Sequence, residues 1–521
     1  MLWSFTTFLY FCQQNIKHYA MKKLLTLLML CCITLSVSAQ SRFGEKPKLV
    51  VGIVVDQMRW DYLSRYYDRF TDGGFRRLID KGYSCDNCQI NYVPTITAIG
   101  HASAYTGTTP AFHGICGNSF YINGRKVYCC ADSTVQTVGS NNPKGQMSPR
   151  NMLATTIGDQ LRLHTDFESK VIGVSYKDRA AILPAGHSAN AAYWLDLKNR
   201  MFYTSTYYMD KLPKWVQDFN KKLAKDKTFK NLGEDIGLSP HCGTITTDMA
   251  IAALRHENLG KGKSTDMLCV SYSQTDVIGH KYGTRGTNTD EAYLQLDRDL
   301  GRLLDALDSQ VGKGNYLLFL TADHGAAHNW KFMQDHKLPA GPWDNGGLTN
   351  RIYDAVGNDI GDDGGYIGDI MNYRIFFNWD KIREKGLITA DMEHRVLQEL
   401  QKEPGIMFAA VYSDLANAAL PPLLRDRALM GYYPGRSGDL LFIPKPGYYE
   451  YSTWSSPIGT THGEWNPYDA HIPCLFYGWN VPHGATSRQV SITDIAPTVC
   501  QLLHIQMPNA CTGQPITEIT K

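Results

Sequence analysis

Leu49-Val50-Val51-Gly52-Ile53-Val54-Val55-Asp56 is an unbroken apolar, mostly β-branched run that ends on a carboxylate. A strand that is apolar at every position is buried on both faces, which is the environment of a central parallel strand covered by helices. Two later stretches repeat the plan. Met267-Leu268-Cys269-Val270-Ser271-Tyr272 leads into Asp276 and His280, and Tyr316-Leu317-Leu318-Phe319-Leu320-Thr321 leads into Asp323 and His324. In open α/β sheets the ligand sits outside the carboxyl ends of the strands. Three strand ends far apart in sequence can therefore meet at one site.

The rest of the chain fits that frame. Trp60 to Lys81 (interrupted near Gly73-Gly74), Thr155 to Leu163, Thr244 to His256 and Glu291 to Leu307 read as helices. Lys170 to Tyr176 and Ile472 to Tyr477 read as further strands, and Val490 to Leu503 as a closing helix. Alternating strands and helices predict an α/β fold, a mostly parallel central sheet with helices on both faces. Two stretches break the alternation. Residues 185–240, rich in aromatics and lysines, are expected to be an inserted excursion. Residues 326–460 are expected to be an inserted cap subdomain, with Gly438 to Pro444 returning to the sheet.

The net charge of +2 over 521 residues gives no global electrostatic reason to expect nucleic-acid binding, and a hydrophobic content of 43% is ordinary. Met21-Lys22-Lys23, the apolar stretch Leu24 to Val37 and the small residues Val37-Ser38-Ala39 read as a secretory signal peptide starting at a true initiator Met21. Residues 1–39 are thus excluded from the fold. The protein is expected to be exported, periplasmic or secreted, with no stable membrane span after cleavage. Ten cysteines follow, including a C-x-x-C at Cys85 and Cys88, the adjacent Cys129 and Cys130, and the pair Cys500 and Cys511. Structural disulfides are favoured over a redox or zinc pair, because no second cysteine pair at finger spacing follows.

Pro94-Thr95-Ile96-Thr97-Ala98-Ile99-Gly100-His101 reads as a turn and the first turns of a helix. A threonine hydroxyl at a helix start faces the positive end of the dipole, a place for an anion or for a nucleophile that must become one. Threonine needs a metal or a base to activate it. The candidates are Asp56, Asp276, His280, Asp323, His324 and His462, a mixed oxygen and imidazole set that suits Zn²⁺ better than Mg²⁺ or Ca²⁺. Six ligands exceed one open tetrahedral site and match two. Two metals roughly 4 Å apart can clamp the entering and leaving oxygens of a phosphoryl transfer. Lys177 and Arg179, two apart past a strand end, can point to one face and meet a dianionic phosphate monoester. Read alone, Asp323-His324-Gly325 is equally a polar turn, and His462 a solvated loop histidine.

Taken together these motifs resemble the alkaline phosphatase superfamily, most closely the phosphate-irrepressible, PafA-type alkaline phosphatases. Ser175, Lys177, Asp178, Arg179 and the run Ala181-Ile182-Leu183-Pro184-Ala185-Gly186-His187 carry the PafA likeness. The nucleophile region is also similar to that of nucleotide pyrophosphatase/phosphodiesterases, with His101, Thr106-Gly107, Pro110, His113-Gly114 and Asn118 after the threonine. The register to Asn118 selects Thr97 over Thr95. The resemblance implies an alkaline phosphatase-like catalytic domain over residues 46–515 and two Zn²⁺ per chain. One would be held by Asp276, His280 and His462; the other by Asp56, Asp323 and His324, in contact with Thr97. It implies phosphate monoester hydrolysis through a phosphothreonine at Thr97, with Asn118, Lys177 and Arg179 on the phosphoryl group. A type I phosphodiesterase on the same two-zinc site is the alternative, and a non-catalytic exported binding protein on the same scaffold a third reading.

Overall fold

Branching at Cβ in Val50, Val51, Ile53, Val54 and Val55 favours extended backbone, and Leu49–Val55 is a strand, β1, buried at every position. The computed structural model describes residues 21–23, 45–357, 365–451 and 456–520. The chain divides into two compact units, 1–46 and 47–521. Of the first, residues 21–23 are helical; the stretch Leu24 to Ala39, expected to be part of a signal peptide, lies outside the described residues. No helix of the described residues is long and apolar enough to cross a membrane.

In chain order the strands that matter are β1, β2 (Tyr83–Cys85), β3 (Thr137–Val138), β4 (Val171–Ser175), β5 (Ala191–Asp196), β6 (Met201–Ser205), β7 (Asp266–Tyr272) and β8 (Tyr316–Thr321). After them come β9 (Ile367–Met371), β10 (Arg374–Phe377), β11 (Ile406–Val411), β12 (Leu440–Pro444), β13 (Cys474–Gly478) and β14 (Gly484–Thr486). The main sheet runs β14-β2-β13-β8-β1-β7-β4-β5-β6-β3. Its centre, β8-β1-β7-β4-β5, is wholly parallel. The flanks are mixed, with β13 antiparallel to both β8 and β2 and β6 antiparallel to both β5 and β3.

Side chains alternate across the sheet, and that alternation separates two helix layers. Gly52 and Cys269 are register partners and face the layer formed by α1 (Thr97–Thr106) and α2 (Asp178–Ala185). A Cβ at Gly52 would lie 2.3 Å from the Tyr105 hydroxyl, so glycine is what lets α1 lie against β1. The Cys269 thiol donates to the Pro184 carbonyl. Tyr272, three residues on, points to the opposite face, where its hydroxyl bonds Thr247 of α3 (His241–His256).

Four expectations are corrected. Residues 185–240 are not wholly an excursion, since β5 and β6 belong to the main sheet; their aromatic content hid an ordinary buried strand pair. Leu440–Pro444 does not return to the main sheet. It pairs with β10 and β11 in a separate antiparallel sheet, β9-β10-β12-β11, whose own core includes Leu348, Ile352, Ile375, Val396, Leu400 and Phe442. An apolar run states that a strand is buried but not which sheet buries it. The stretch after Trp60 is broken into Tyr62–Arg65, a short 3₁₀ turn and Phe75–Lys81. Finally, the ten cysteines are free thiols, nine of them buried. Cys88, Cys242, Cys269 and Cys500 sit in the main core as small apolar side chains.

Candidate active site

Strand order explains the convergence. β1 lies between β7 and β8, with Val54 level with Ser271 and Thr321. Asp56, Asp276 and Asp323 therefore leave three adjacent strands at the same end. Asp56 follows β1 directly, Asp276 and His280 lie on α4 (Gln274–Tyr282), and Asp323 and His324 occupy the turn after β8. The long loop before β13 returns His462 to the same place.

Two overlapping groups of ligating atoms result. Asp56, Asp323 and His324 present atoms within 4.8 Å of one another, and so do Asp276, His324 and His462. His324 thus faces both groups, its ring stacked on that of His462 with 3.5 Å between centroids. His280 presents Nε2 to Asp276 Oδ1 at 3.1 Å. In all three imidazoles Nδ1 meets a backbone carbonyl: Thr460 for His280 at 2.9 Å, Gly325 for His324 at 2.9 Å and Thr95 for His462 at 2.7 Å. A carbonyl can only accept, so each Nδ1 carries a proton, and Nε2 is the ring atom each histidine turns toward the carboxylates. A ring held this way ligates a metal through Nε2.

The carboxylates complete the fit to cations. Asp56 and Asp323 are fully buried, and Asp56 Oδ1 and Asp323 Oδ2 receive no hydrogen bond. Burial, with Asp323 alongside, pushes the Asp56 carboxyl up to about 8. Burial also opposes ionisation of Asp276, yet His280 and Lys177 hold its carboxyl well below the usual range. Burial keeps His462 neutral by lowering its pKa. Lys177 adds a counter-charge to two of the carboxylates, its Nζ lying 2.8 Å from Asp56 Oδ2 and 2.6 Å from Asp276 Oδ2. Three buried carboxylates and three imidazoles around one ammonium form a donor set suited to bound cations.

Thr97 opens α1, after an extended Ile96, and its Oγ1 lies 3.4 Å from His324 Nε2. Thr95 faces away from this centre. Its hydroxyl donates to the Glu464 carbonyl and its own carbonyl orients His462. Asn118 Oδ1 accepts from the Ala98 N–H at 3.1 Å, which leaves its Nδ2 as the donor end beside the helix start. Arg179 stands beyond Lys177. Its Nη1 donates to the Tyr128 hydroxyl at 3.1 Å, and that hydroxyl donates to Asp178 Oδ1 at 2.5 Å. Arg179 Nε is buried without a partner.

Sequence reasoning missed Gln57 and Gly279 and gave Gly100 and His101 no contact of their own. Gln57, at φ +64°, donates its backbone N–H to Asp323 and its side-chain amide to Asp276 Oδ1. A Cβ at Gly279 would lie 1.9 Å from Gln57 Oε1. At Gly100 a Cβ would lie 2.2 Å from the Asp323 carbonyl oxygen, so glycine there lets α1 rest on the ligand turn. His101, one residue on, bonds Ser271 and the Thr97 carbonyl beneath the site. The position of Gln57 next to Asp56 was the available signal; the contacts themselves are made by elements more than two hundred residues away.

Comparison with known proteins shows the family. The type I phosphodiesterase / nucleotide pyrophosphatase family matches residues 50–465. A protein of Myroides odoratus named calcium-transporting ATPase is 43% identical, over 94% of this chain and 97% of its own. Alkaline phosphatase PafA of Elizabethkingia meningoseptica is also 43% identical, over 91% of this chain and 94% of its own. A crystal structure of wild-type alkaline phosphatase PafA superposes with a TM-score of 0.87 at 42% identity, covering 92% of this chain and 99% of that one. Catalytic-end geometry, family match and near-complete coverage agree, and the chain belongs to the alkaline phosphatase superfamily as a PafA-like member.

Proposed function

We propose that this chain is an exported, zinc-dependent phosphomonoesterase that hydrolyses phosphate monoesters through a phosphothreonine at Thr97. The observation that carries the reading is the set of three imidazoles, each with Nδ1 fixed on a carbonyl and Nε2 turned to the buried carboxylates, with His324 Nε2 3.4 Å from the Thr97 hydroxyl. Asp276, His280 and His462 would hold one Zn²⁺, and Asp56, Asp323 and His324 the other. When bound, the two ions would make the Thr97 hydroxyl easier to ionise and offset charge on the entering and leaving oxygens.

The chain's own part follows from position. Thr97 Oγ1 forms the new P–O bond in line with the ester P–O bond that breaks, and the alcohol departs. Water then cleaves the phosphothreonine, freeing Thr97 and inorganic phosphate. The α1 N-terminus favours the phosphate while it is attached there. Asn118 Nδ2, Lys177 and Arg179 meet the non-bridging oxygens, where charge accumulates in a loose phosphoryl transition state.

Two cations beside the site favour a dianionic monoester over a monoanionic diester. The terminal phosphoryl group of ATP is a dianion of the same kind, which accommodates the ATPase name of the Myroides relative. The family description keeps a phosphodiesterase as the second reading. Initial rates on para-nitrophenyl phosphate and bis-para-nitrophenyl phosphate separate the two. A large monoester preference that falls on Lys177→Ala or Arg179→Ala supports the phosphatase. A diester preference moves the chain to the phosphodiesterase reading and removes the role given to both cations.

A further inference from the structure

β9 and β10 form a hairpin whose closing pair is Met371 and Arg374, leaving a two-residue turn. Both turn residues have positive φ, Asn372 at +54° and Tyr373 at +61°, as a type I′ turn requires. Asparagine accepts that conformation readily, whereas a bulky tyrosine does so only when its surroundings hold it there. The surroundings are the active-site walls. The Asn372 amide lies against Gly117, next to Asn118. The Tyr373 ring covers Gly463, and its hydroxyl donates to the His462 carbonyl at 3.3 Å.

Arg374, 1% exposed, fixes this turn to the chain on both sides of the nucleophile. Its Nη1 donates to the Cys116 carbonyl at 2.6 Å, two residues before Asn118. Its Nη2 donates to the Val93 carbonyl at 3.4 Å, four residues before Thr97, and to the Gly431 carbonyl at 2.7 Å. Its Nε donates to the Tyr412 hydroxyl at 2.9 Å. One planar guanidinium thus joins the second sheet to the segments carrying Thr97 and Asn118. A lysine, with one nitrogen, keeps the charge but cannot span those acceptors.

The geometry points to Arg374 as a positioning residue that sets Asn118, through the Cys116 carbonyl, against the start of α1. This rests on the phosphatase reading above, in which Asn118 binds the phosphoryl group. The test is a double-mutant cycle of Arg374→Lys with Asn118→Ala, on para-nitrophenyl phosphate, with zinc content and thermal midpoint measured on each protein. Arg374→Lys is expected to lower kcat/KM about tenfold or more in the wild-type background, the scale of a lost hydrogen bond to a charged group. In the Asn118→Ala background it is expected to change kcat/KM less than about twofold, as coupled residues do. Tyr412→Phe, which removes one of the four partners and keeps the charge, should show a smaller loss with the same dependence on Asn118; it serves if Arg374→Lys does not fold. Equal losses in both backgrounds would overturn the inference while leaving the phosphatase reading intact. An Asn118→Ala protein as fast as wild type would sink both the inference and the role given to Asn118.

Discussion

Lys177→Ala tests whether the ammonium between Asp56 and Asp276 serves the substrate or the fold. Without metal, Lys177 Nζ is the close cationic partner of both carboxylates, at 2.8 and 2.6 Å. Removing one member of a buried ion pair costs about 3–5 kcal/mol. The lower end applies, because Asp56, with its carboxyl pushed up to about 8 by burial and Asp323, can relieve its own charge by taking up a proton. Unfolding entropy of about 2.1 cal/mol/K per residue makes 1 kcal/mol roughly 1 °C for a chain of this size. The chelated variant should therefore melt about 3 °C below chelated wild type. With zinc bound, cations replace the lost counter-charge and the difference should fall below about 1 °C. For the reaction, a dianionic monoester presents one more charge to Lys177 than a diester does. At an effective dielectric between that of water and that of a protein surface, one more charge a few ångströms away is worth about 2 kcal/mol, so monoester kcat/KM should fall roughly 30-fold further than diester kcat/KM. Scanning calorimetry with and without chelator, and paired rates on the two nitrophenyl esters, read both arms. Equal melting losses in both metal states would make Lys177 a structural pair regardless of metal, and equal rate losses would refute the dianion contact.

Three further outcomes follow. Thr97→Ala should lower monoester turnover by about 10³-fold or more while keeping wild-type zinc content by elemental analysis; unchanged turnover would remove Thr97 as nucleophile. Gly100→Ala drives a Cβ to 2.2 Å from the Asp323 carbonyl oxygen; overpacking against backbone should cost about 1–3 kcal/mol and weaken zinc retention against a chelator, and a normal zinc affinity would show that α1 can move freely. His113 is buried and accepts the Ile115 N–H at Nδ1. Burial, with a contribution from Arg436, lowers its pKa from 6.5 to about 3. The unfolded chain therefore binds its proton first, so the His113 contribution is complete above about pH 6.5 and is lost as pH falls toward 3. The loss should reach about 2 kcal/mol at pH 5, and denaturant titrations of wild type and His113→Gln should differ in slope between pH 7 and 5. Parallel slopes would reject the assignment.

The apolar runs ending at Val55, Tyr272 and Thr321 were enough to read a parallel sheet with carboxylates at one end, because a strand buried on both faces records its environment in every residue. The motif residues Thr97, Asp276, His280, Asp323 and His324 were legible for the same local reason: each lies within a few residues of its strand or helix end. What the chain alone left open was pairing. Leu440–Pro444 reads as a buried strand in either sheet, and its choice of β10 and β11 depends on the core around Ile375 and Phe442. Of the cysteines read as disulfide candidates, Cys85, Cys88 and Cys500 are small side chains of the main core and Cys129 and Cys130 of a smaller one. His324 faces both carboxylate groups, and Lys177 bridges them, because β1 lies between β7 and β8 and loops from distant parts of the chain close over that junction. Arg374 carries no local signature, and Gln57 carries only its place next to Asp56. Their importance comes from hydrogen bonds spanning from 38 to 281 positions. Local sequence determines which segments are strands and which ends carry charge; long-range packing alone decides which of those charges meet.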